Sequence, residues 1–256
     1  MKTIDLNCDM GESFGAYTIG ADEAVMASIS SANVACGYHG GDPSVMRRTV
    51  RLAREHKVAV GAHPGFPDLV GFGRRDMRVA PQEVEDFVLY QIGALAAIAH
   101  SEGLPLSHVK PHGALYNMAV KDRPLADAIA RAVNAFEPSL ILFALPNSDL
   151  ARAGEAAGLQ VALEGFADRA YEPDGSLTPR SRQGAVIHDV AAVVRRAVRM
   201  ATEGVVVATD GSEQAVRVDT ICTHGDTPGS QALTKALRAG LERAGVKVGV
   251  IARTAR

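Results

Sequence analysis

The chain has 256 residues, of which 47% are hydrophobic and 22% are charged, and its formal net charge is −2. This composition is typical of a globular protein, and the length suits one large α/β domain because no Pro/Ser-rich linker divides the chain. Acidic and basic residues are interspersed, which argues against nucleic acid or an anionic membrane surface as a partner. The N-terminal residues also lack the long apolar run of a signal peptide or a transmembrane helix.

The cysteines Cys8, Cys36 and Cys222 are few and have no CxxC spacing. We therefore expect reduced thiols and a cytoplasmic protein. A cysteine of this kind is more often a small residue packed beneath a pocket than a catalytic thiol.

The first predicted strand, residues 3–9, alternates polar and apolar side chains, so Asp5, Asn7 and Asp9 lie on one face. On an exposed sheet edge this pattern would mean little. In a parallel α/β domain it predicts a polar barrel interior or cleft floor, which Glu12 continues in the following loop.

Histidines follow the next two predicted strands. Residues 31–37 precede His39 in a glycine-lined turn, and residues 58–63 end in His63. Asp42 stands before a proline, so we expect it to cap the helix that runs to about residue 56 rather than to bind a ligand.

The loop 64–75 is rich in glycine and proline and long for a connection between a strand and a helix, as is typical of loops that cover pockets. It ends in Arg74 and Arg75. These arginines are expected either to bind a carboxylate or phosphate or simply to be exposed to solvent.

The stretch 108–117 concentrates more polar chemistry than a turn requires. Pro111 and Gly113 end a short buried strand, and four polar residues lie within eight positions: Lys110, His112, Tyr116 and Asn117. An amine and an imidazole at the C-terminal end of a strand are typical of the pocket mouth of an α/β enzyme.

The second half of the chain repeats the pattern of strands and helices. Residues 140–144 predict a buried strand, and an apolar strand from residue 160 ends at Asp168 and Arg169, where a flap-like insertion spans 168–187. A small hairpin is predicted from 205–208 and 215–218, and a strand at 246–251 closes the chain. Between them, His224 and Asp226 follow another strand.

Four glycines, Gly103, Gly158, Gly204 and Gly245, each separate a helix from the next strand, where a left-handed residue is favoured. Seven or eight βα units therefore predict one α/β domain, an irregular TIM-like (β/α)7-8 barrel over residues 1–256. A doubly wound sheet is the alternative.

In a barrel, the C-terminal ends of all the strands meet at one face. The candidate catalytic residues at those ends are Asp9, Glu12, His39, His63, Lys110, His112, Asp168 and His224, and the candidate binding residues are Asn7, Arg74, Arg75, Tyr116, Asn117, Arg169 and Asp226. Histidines and carboxylates suit a divalent metal that activates water, and the same groups with lysine and arginine suit metal-free acid/base chemistry. The spacing leaves both open, and the chain contains no HExxH or P-loop motif.

Six blocks of sequence resemble the signature blocks of the LamB/YcsF family, which includes the A subunit of bacterial 5-oxoprolinase. They are DLNCDMGE at 5–12, ANVACGYHGGD at 32–42, GAHPG at 61–65, VKPHGALYN at 109–117, EGFADR at 164–169 and CTHGD at 222–226. The resemblance covers nearly the whole chain.

The resemblance implies an irregular barrel of the glycoside hydrolase/deacetylase type. It also implies ATP-dependent opening of the lactam of 5-oxo-L-proline to L-glutamate, with Mg²⁺ as the counter-ion of ATP and with two partner subunits, B and C. A homo-oligomer is possible. Deacetylases of similar fold bind metal through an Asp-Asp pair and an HxxxH motif, whereas this chain has Asn7 and Asp9 on its first strand and Pro43 four residues after His39.

Three functions follow as hypotheses. In the first, Lys110, Arg74 and Arg75 neutralise phosphate or carboxylate charge while His112, His63 or Asp9 positions water for lactam hydrolysis. The second is a stand-alone metal-dependent deacetylase or amidohydrolase. The third is a non-catalytic subunit that binds a ligand.

Overall fold

A computed structural model describes residues 2–224 and 229–254. Within them the strands are β1 (Thr3–Met10), β2 (Ser31–Ala35), β3 (Ala59–His63), β4 (Leu106–Val109), β5 (Ile141–Ala144), β6 (Gln160–Phe166), β7 (Val205–Val207), β8 (Glu213–Ala215), β9 (Thr220–His224) and β10 (Lys247–Val248). The helices are α1 (Asp22–Met26), α2 (Pro43–His56), α3 (Pro81–Ser101), α4 (Gly113–Ala119), α5 (Arg123–Phe136), α6 (Asp149–Ala156), α7 (Val190–Thr202) and α8 (Ser230–Arg243).

Seven parallel strands close into a barrel in the order β1, β2, β3, β4, β5, β6 and β9, and β9 pairs in turn with β1. The closing pairs run from Asp5 opposite Thr220 to Asp9 opposite His224. The predicted TIM-like barrel is confirmed. The doubly wound alternative is wrong, because an open sheet would not pair β1 with β2 on one side and with β9 on the other while β9 also pairs with β6.

The alternation of β1 separates two environments. Ile4 and Leu6 are fully buried in the main hydrophobic core, together with apolar residues of the surrounding helices. Asp5 and Asn7 are also fully buried, but they make hydrogen bonds to side chains of neighbouring barrel strands. The predicted polar barrel interior is therefore confirmed.

Local sequence signals determine where several elements begin and end. The Asp42 carboxylate accepts hydrogen bonds from the backbone N–H groups of Ser44 and Val45, which confirms its role as the N-cap of α2. The four glycines between helices and strands all have positive φ, from +69° to +77°. A side chain would be strained there, so each glycine allows the chain to turn back toward the barrel.

Three predicted boundaries differ from the structure. The hairpin exists, but its second strand is β8 rather than 215–218. The predicted final strand 246–251 is reduced to the two residues of β10, which pair only with the start of β1. The strand that Pro111 and Gly113 end is followed at once by helix α4, which the sequence pattern did not predict.

The segment between β6 and α7 forms no helix and no named strand, and is held by isolated bridges such as Arg169 to Val186 and Tyr171 to Leu177. In the part of the chain that the structure describes, no helix is both long and apolar enough to cross a membrane.

Candidate active site at the barrel mouth

A column of polar side chains fills the barrel interior, and Asp5 lies at its base. The carboxylate accepts hydrogen bonds from the hydroxyl groups of Ser30 (2.7 Å), Ser31 (2.6 Å) and Thr220 (2.6 Å). Burial nevertheless raises the pKa of Asp5 above its ordinary value, since desolvation outweighs the hydroxyl contacts. This base layer connects β1, β2 and β9.

The next layer consists of amides and an imidazole. Asn33 donates from Nδ2 to Asn7 Oδ1 (2.7 Å) and to Asp9 Oδ1 (2.8 Å), and its own Oδ1 accepts from His108 Nε2 at 2.7 Å. An amide oxygen can only accept, so His108 carries its proton on Nε2. Burial lowers the pKa of His108 to about 3, so this imidazole is neutral and serves to orient Asn33.

Lys110 lies above this layer, at the transition from the interior to the mouth. Its ammonium is 2.7 Å from Asp9 Oδ1, 3.0 Å from Cys222 Sγ and 3.1 Å from Glu164 Oε1. Burial favours the neutral amine, but the Asp9 carboxylate, the Cys222 sulfur and the Glu164 carboxylate together raise the pKa of Lys110 well above its usual value. Lys110 is therefore a fixed cation rather than a proton acceptor at neutral pH.

One side of this centre is closed by β6 and α4. Glu164 is fully buried, and its Oε1 also accepts from Asn7 Nδ2 at 3.1 Å. Burial, and then the nearby Glu164 carboxylate, raise the pKa of the Tyr116 hydroxyl well above its ordinary value. The Lys110 ammonium also lies 5.5 Å from the centroid of the Phe166 ring.

Three histidines and Glu12 form a second cluster beside Lys110. His63 Nε2 lies 2.9 Å from His112 Nδ1 and 3.4 Å from Asp9 Oδ2. The rings of His39 and His112 are stacked in parallel with centroids 3.7 Å apart. Glu12 Oε1 is 3.6 Å from His39 Nε2 and 3.5 Å from His112 Nδ1.

Burial lowers the pKa of both His39 and His112 well below the ordinary value, and the neighbouring imidazoles add to this effect. Protonation of either ring is therefore unfavourable. The rings remain available as neutral bases or as ligands.

A cavity of about 930 Å³ opens above these groups, and its floor is formed by Asp9, His63, Lys110 and His112. Its wall carries five cationic side chains, Arg74, Lys121, Arg169, Arg180 and Arg182, and three acidic ones, Asp76, Glu172 and Asp174. Two of the cations are paired with these acids, Lys121 with Asp174 and Arg182 with Glu172. The excess of cationic side chains on the wall, over a floor of acid, base and ammonium, suits an anionic ligand that reacts at the floor.

The structure brings most of the predicted residues together. Asp9, Glu12, His39, His63, Lys110 and His112 form the two adjoining clusters, and Tyr116, Asn117, Arg74 and Arg169 line the cavity. The guanidinium of Arg169 stabilises the segment after β6, because it donates hydrogen bonds to the backbone carbonyls of Ala185 and Thr178. Burial lowers its pKa to about 10.

Other predicted residues lie elsewhere. Arg75 is paired with Asp68 and does not line the cavity. Asn7 lies one layer below the floor, and Asp168 is buried at the end of β6 without lining the cavity. The backbone of His224 belongs to β9, whereas its side chain and the whole of Asp226 lie outside the described residues.

Sequence reasoning missed Glu164, Asn33 and His108 as members of the site. For Glu164 and Asn33 the sequence did contain a signal, a single acid or amide within an otherwise apolar strand. Such a side chain is buried with the strand and therefore needs a polar partner in the interior. For Cys222 the expected packing role holds in part, since the thiol is buried, but it also touches the Lys110 ammonium.

Comparison with known proteins identifies the family of this chain. A profile of the LamB/YcsF family matches residues 4–256. A relative from Symbiobacterium thermophilum, named as the A subunit of 5-oxoprolinase, is 59% identical over 249 residues, which cover 97% of this chain and 95% of the relative. A relative of the same name from Bacillus subtilis is 54% identical over an alignment that covers 98% of this chain and 98% of the relative.

A solved structure shares the fold throughout. The crystal structure of the lactam utilization protein from Thermus thermophilus superposes with a TM-score of 0.93 at 54% identity, over 98% of this chain and 100% of that one. The matched profile, the identities and the superposition agree over nearly the full length of the chain. The chain belongs to the LamB/YcsF family.

Proposed function

We propose that this chain is the A subunit of an ATP-dependent 5-oxoprolinase and that it opens the lactam of 5-oxo-L-proline to L-glutamate. Relatives covered over nearly their whole length carry the name of that 5-oxoprolinase component. The observation that carries the proposal is the grouping of Asp9, His63, Lys110 and His112 at the floor of a cavity whose wall has more cationic than acidic side chains.

The substrate has two features that this cavity suits. Its carboxylate is an anion, and Arg74 offers a guanidinium on the cavity wall. Its lactam oxygen would carry an anionic phosphoryl group after activation, and the Lys110 ammonium at the floor favours such charge. Because Asp9 and Glu164 already pair with Lys110, its charge is held in place rather than free to move.

Proton transfer is assigned to the histidines. His63 donates from Nδ1 to the carbonyl of Lys110, and His112 donates from Nε2 to the carbonyl of Phe72. The other nitrogen of each ring is then able to accept a proton from water at the floor. This arrangement supports His112 or His63 as the group that positions and activates the attacking water.

The chemistry of the substrate explains why the reaction would require ATP. An unstrained lactam has a poor leaving group and tends to reclose. Transfer of the γ-phosphoryl group of ATP to its oxygen, which releases ADP, would activate the carbon toward water, and phosphate would leave as the ring opens to glutamate. The subunit lettering of the relatives supports an enzyme of several chains. The proposed enzyme is cytoplasmic and contains partner subunits B and C, and ATP with Mg²⁺ acts in the assembled complex.

The test is glutamate release from 5-oxo-L-proline with ATP and Mg²⁺, measured for this chain alone and together with subunits B and C. We expect turnover in the mixture, and we expect His112→Ala to reduce it at least about 100-fold, the lower end of what a positioned acid or base contributes. His100→Ala is the matched control, because His100 is exposed at the end of α3 and does not line the cavity.

Three results would contradict the proposal or a part of it. Absence of glutamate from a folded, associated mixture would remove the lactamase function and favour a metal-dependent amidohydrolase. Full turnover by His112→Ala would show that His112 takes no part in the chemistry. If the chain binds 5-oxoproline tightly but no substitution at the floor lowers turnover, the chain is a binding subunit.

A further inference from the structure

Two imidazole nitrogens at the cavity floor face each other at hydrogen-bond distance. His63 Nε2 and His112 Nδ1 are 2.9 Å apart, and both side chains are buried. The opposite nitrogen of each ring is close to a backbone carbonyl oxygen, that of Lys110 at 2.7 Å for His63 and that of Phe72 at 2.8 Å for His112. A carbonyl only accepts, so those opposite nitrogens carry the protons.

In its neutral form, each ring therefore directs an unprotonated nitrogen at the other. Two lone pairs at this separation repel unless an electrophile lies between them, and the electrophile must be a proton or a metal cation. Backbone carbonyls that fix the tautomer and orientation of a histidine are also the usual outer partners of metal-binding imidazoles. The backbone here holds both rings in the tautomers that a metal requires.

Carboxylates flank the two nitrogens. Asp9 Oδ2 is 3.4 Å from His63 Nε2, and Glu12 Oε1 is 3.5 Å from His112 Nδ1. Ligands of a tetrahedral zinc site with bonds of about 2.0–2.1 Å lie about 3.3 Å from one another. The carboxylate separations are close to that value, and the two imidazole nitrogens would need to separate by only about 0.4 Å.

His39 supplies an independent observation. Its side chain is 1% exposed, and neither ring nitrogen has a hydrogen-bond partner in the part of the chain that the structure describes. Nε2 lies 3.6 Å from Glu12 Oε1, and one donor atom from each of Glu12, His39, His63 and His112 falls within 4.8 Å of the others. A buried imidazole without hydrogen bonds beside this cluster points to a ligand.

From these contacts we propose that the barrel mouth binds one divalent transition-metal cation between His63 and His112, with Glu12 and Asp9 as neighbouring carboxylate ligands. His39 lies parallel to His112, so its ring must rotate before it can act as a further ligand. A mixed set of imidazole and carboxylate donors favours zinc, manganese, iron or cobalt over magnesium or calcium. The HxxxH motif contributes nothing to this set, since Pro43 occupies its second histidine position.

The inference does not depend on lactam chemistry, but it changes the role of His63 and His112: with a cation bound, the nitrogens that face each other would be ligands instead of proton acceptors. The cation would lie at the floor of the cavity, next to Asp9, where it could polarise a carbonyl or acidify a bound water in any hydrolytic reaction. Metal binding and glutamate release are measured separately, so that either can fail without the other.

The experiment titrates the metal-stripped, untagged chain with Co²⁺ and follows the visible absorption of the ion, with Zn²⁺ in a parallel calorimetric titration. We expect one equivalent of each ion to bind, with Co²⁺ absorbing more strongly in the visible range than the hydrated ion does, as four-coordinate ligation would cause. His63→Asn and His112→Asn should each weaken binding about 100-fold or more, because loss of a ligand should cost at least as much as loss of an outer partner. His100→Asn is the matched control and should leave affinity unchanged.

Circular dichroism establishes that each variant is folded, and Glu12→Gln provides a third variant whose side chain keeps its size. Failure of the folded wild-type chain to bind either ion, or equal binding by wild type and by folded variants of His63 and His112, would overturn the proposal. The pair would then share a proton instead of a metal.

Discussion

The ammonium of Lys110 and the carboxylate of Asp9 form a buried ion pair, with Nζ 2.7 Å from Oδ1, across the barrel between the ends of β4 and β1. Lys110 is 3% exposed, and it also contacts Glu164, which is fully buried. The two acids would be strongly destabilised without a cation between them. The same lysine that occupies the candidate active site therefore holds the barrel mouth together.

Lys110→Met should lower the free energy of unfolding by about 3–5 kcal/mol, because it leaves two buried carboxylates without their counter-charge. Urea unfolding at neutral pH measures the effect. Lys121→Met is the matched control, since the Lys121–Asp174 pair is exposed and such pairs contribute at most about 1 kcal/mol. Equal losses in the two variants would contradict the assigned role of Lys110.

Gly61 on β3 should tolerate no side chain. A Cβ there would overlap the imidazole of His108, which fills the barrel interior opposite it. We expect Gly61→Ala to reduce stability by about 1–3 kcal/mol through overpacking. Gly93→Ala provides the contrast, because Gly93 lies within α3 with open space where a methyl group would stand, and alanine should stabilise the helix by about 1 kcal/mol. A neutral Gly61→Ala would mean that His108 moves freely.

His108 should make folding sensitive to acid. Burial lowers its pKa in the folded state to about 3, whereas an unfolded chain would protonate this histidine near pH 6.5. Between these values the unfolded state binds more protons, so stability is lost as the pH falls below about 6.5, and this loss levels off near pH 3.

We therefore expect the stability of His108→Gln to vary less steeply with pH than that of the wild type, by up to about 1.4 kcal/mol per pH unit for one proton. Urea midpoints at a series of pH values from about 4 to about 7 would measure this difference, even though the variant starts from a lower stability. An identical slope in both proteins would show that His108 is already protonated in the folded state or does not contribute.

Arg74 and Arg75 are adjacent in sequence but should differ in function. Arg74 lines the cavity, whereas Arg75 is paired with Asp68. If the cavity binds the carboxylate or phosphate of the substrate, Arg74→Met should raise KM about 10-fold or more, the loss of one charge-assisted contact of about 1.5–3 kcal/mol. Arg75→Met should leave KM near the wild-type value, and steady-state kinetics of the assembled enzyme separates the two. A larger KM effect at Arg75 would reverse the assignment.

Local chemistry in the sequence predicted many features correctly. The proline after Asp42 and the glycines after the helices act within a few residues, so their signals survive without knowledge of the fold. The period-two pattern of Asp5, Asn7 and Asp9 likewise reports a polar face of β1, because side-chain direction in a strand depends only on the backbone. Six residues at strand ends were expected together and lie together: Asp9, Glu12, His39, His63, Lys110 and His112.

Only the tertiary structure decided how those residues pair. Glu164 and Cys222 lie 54 or more positions beyond Lys110 in the chain, and no local pattern indicates that both contact its ammonium. The pairing of β9 with β1 closes the barrel and brings these strands beside Asn7 and Asp9. Likewise, Arg74 and Arg75 have the same charge and the same neighbours in sequence, and only the turn that places Asp68 beside Arg75 distinguishes them. Contacts between distant strands depend on closure and register, which the chain determines through its whole core rather than through any single motif.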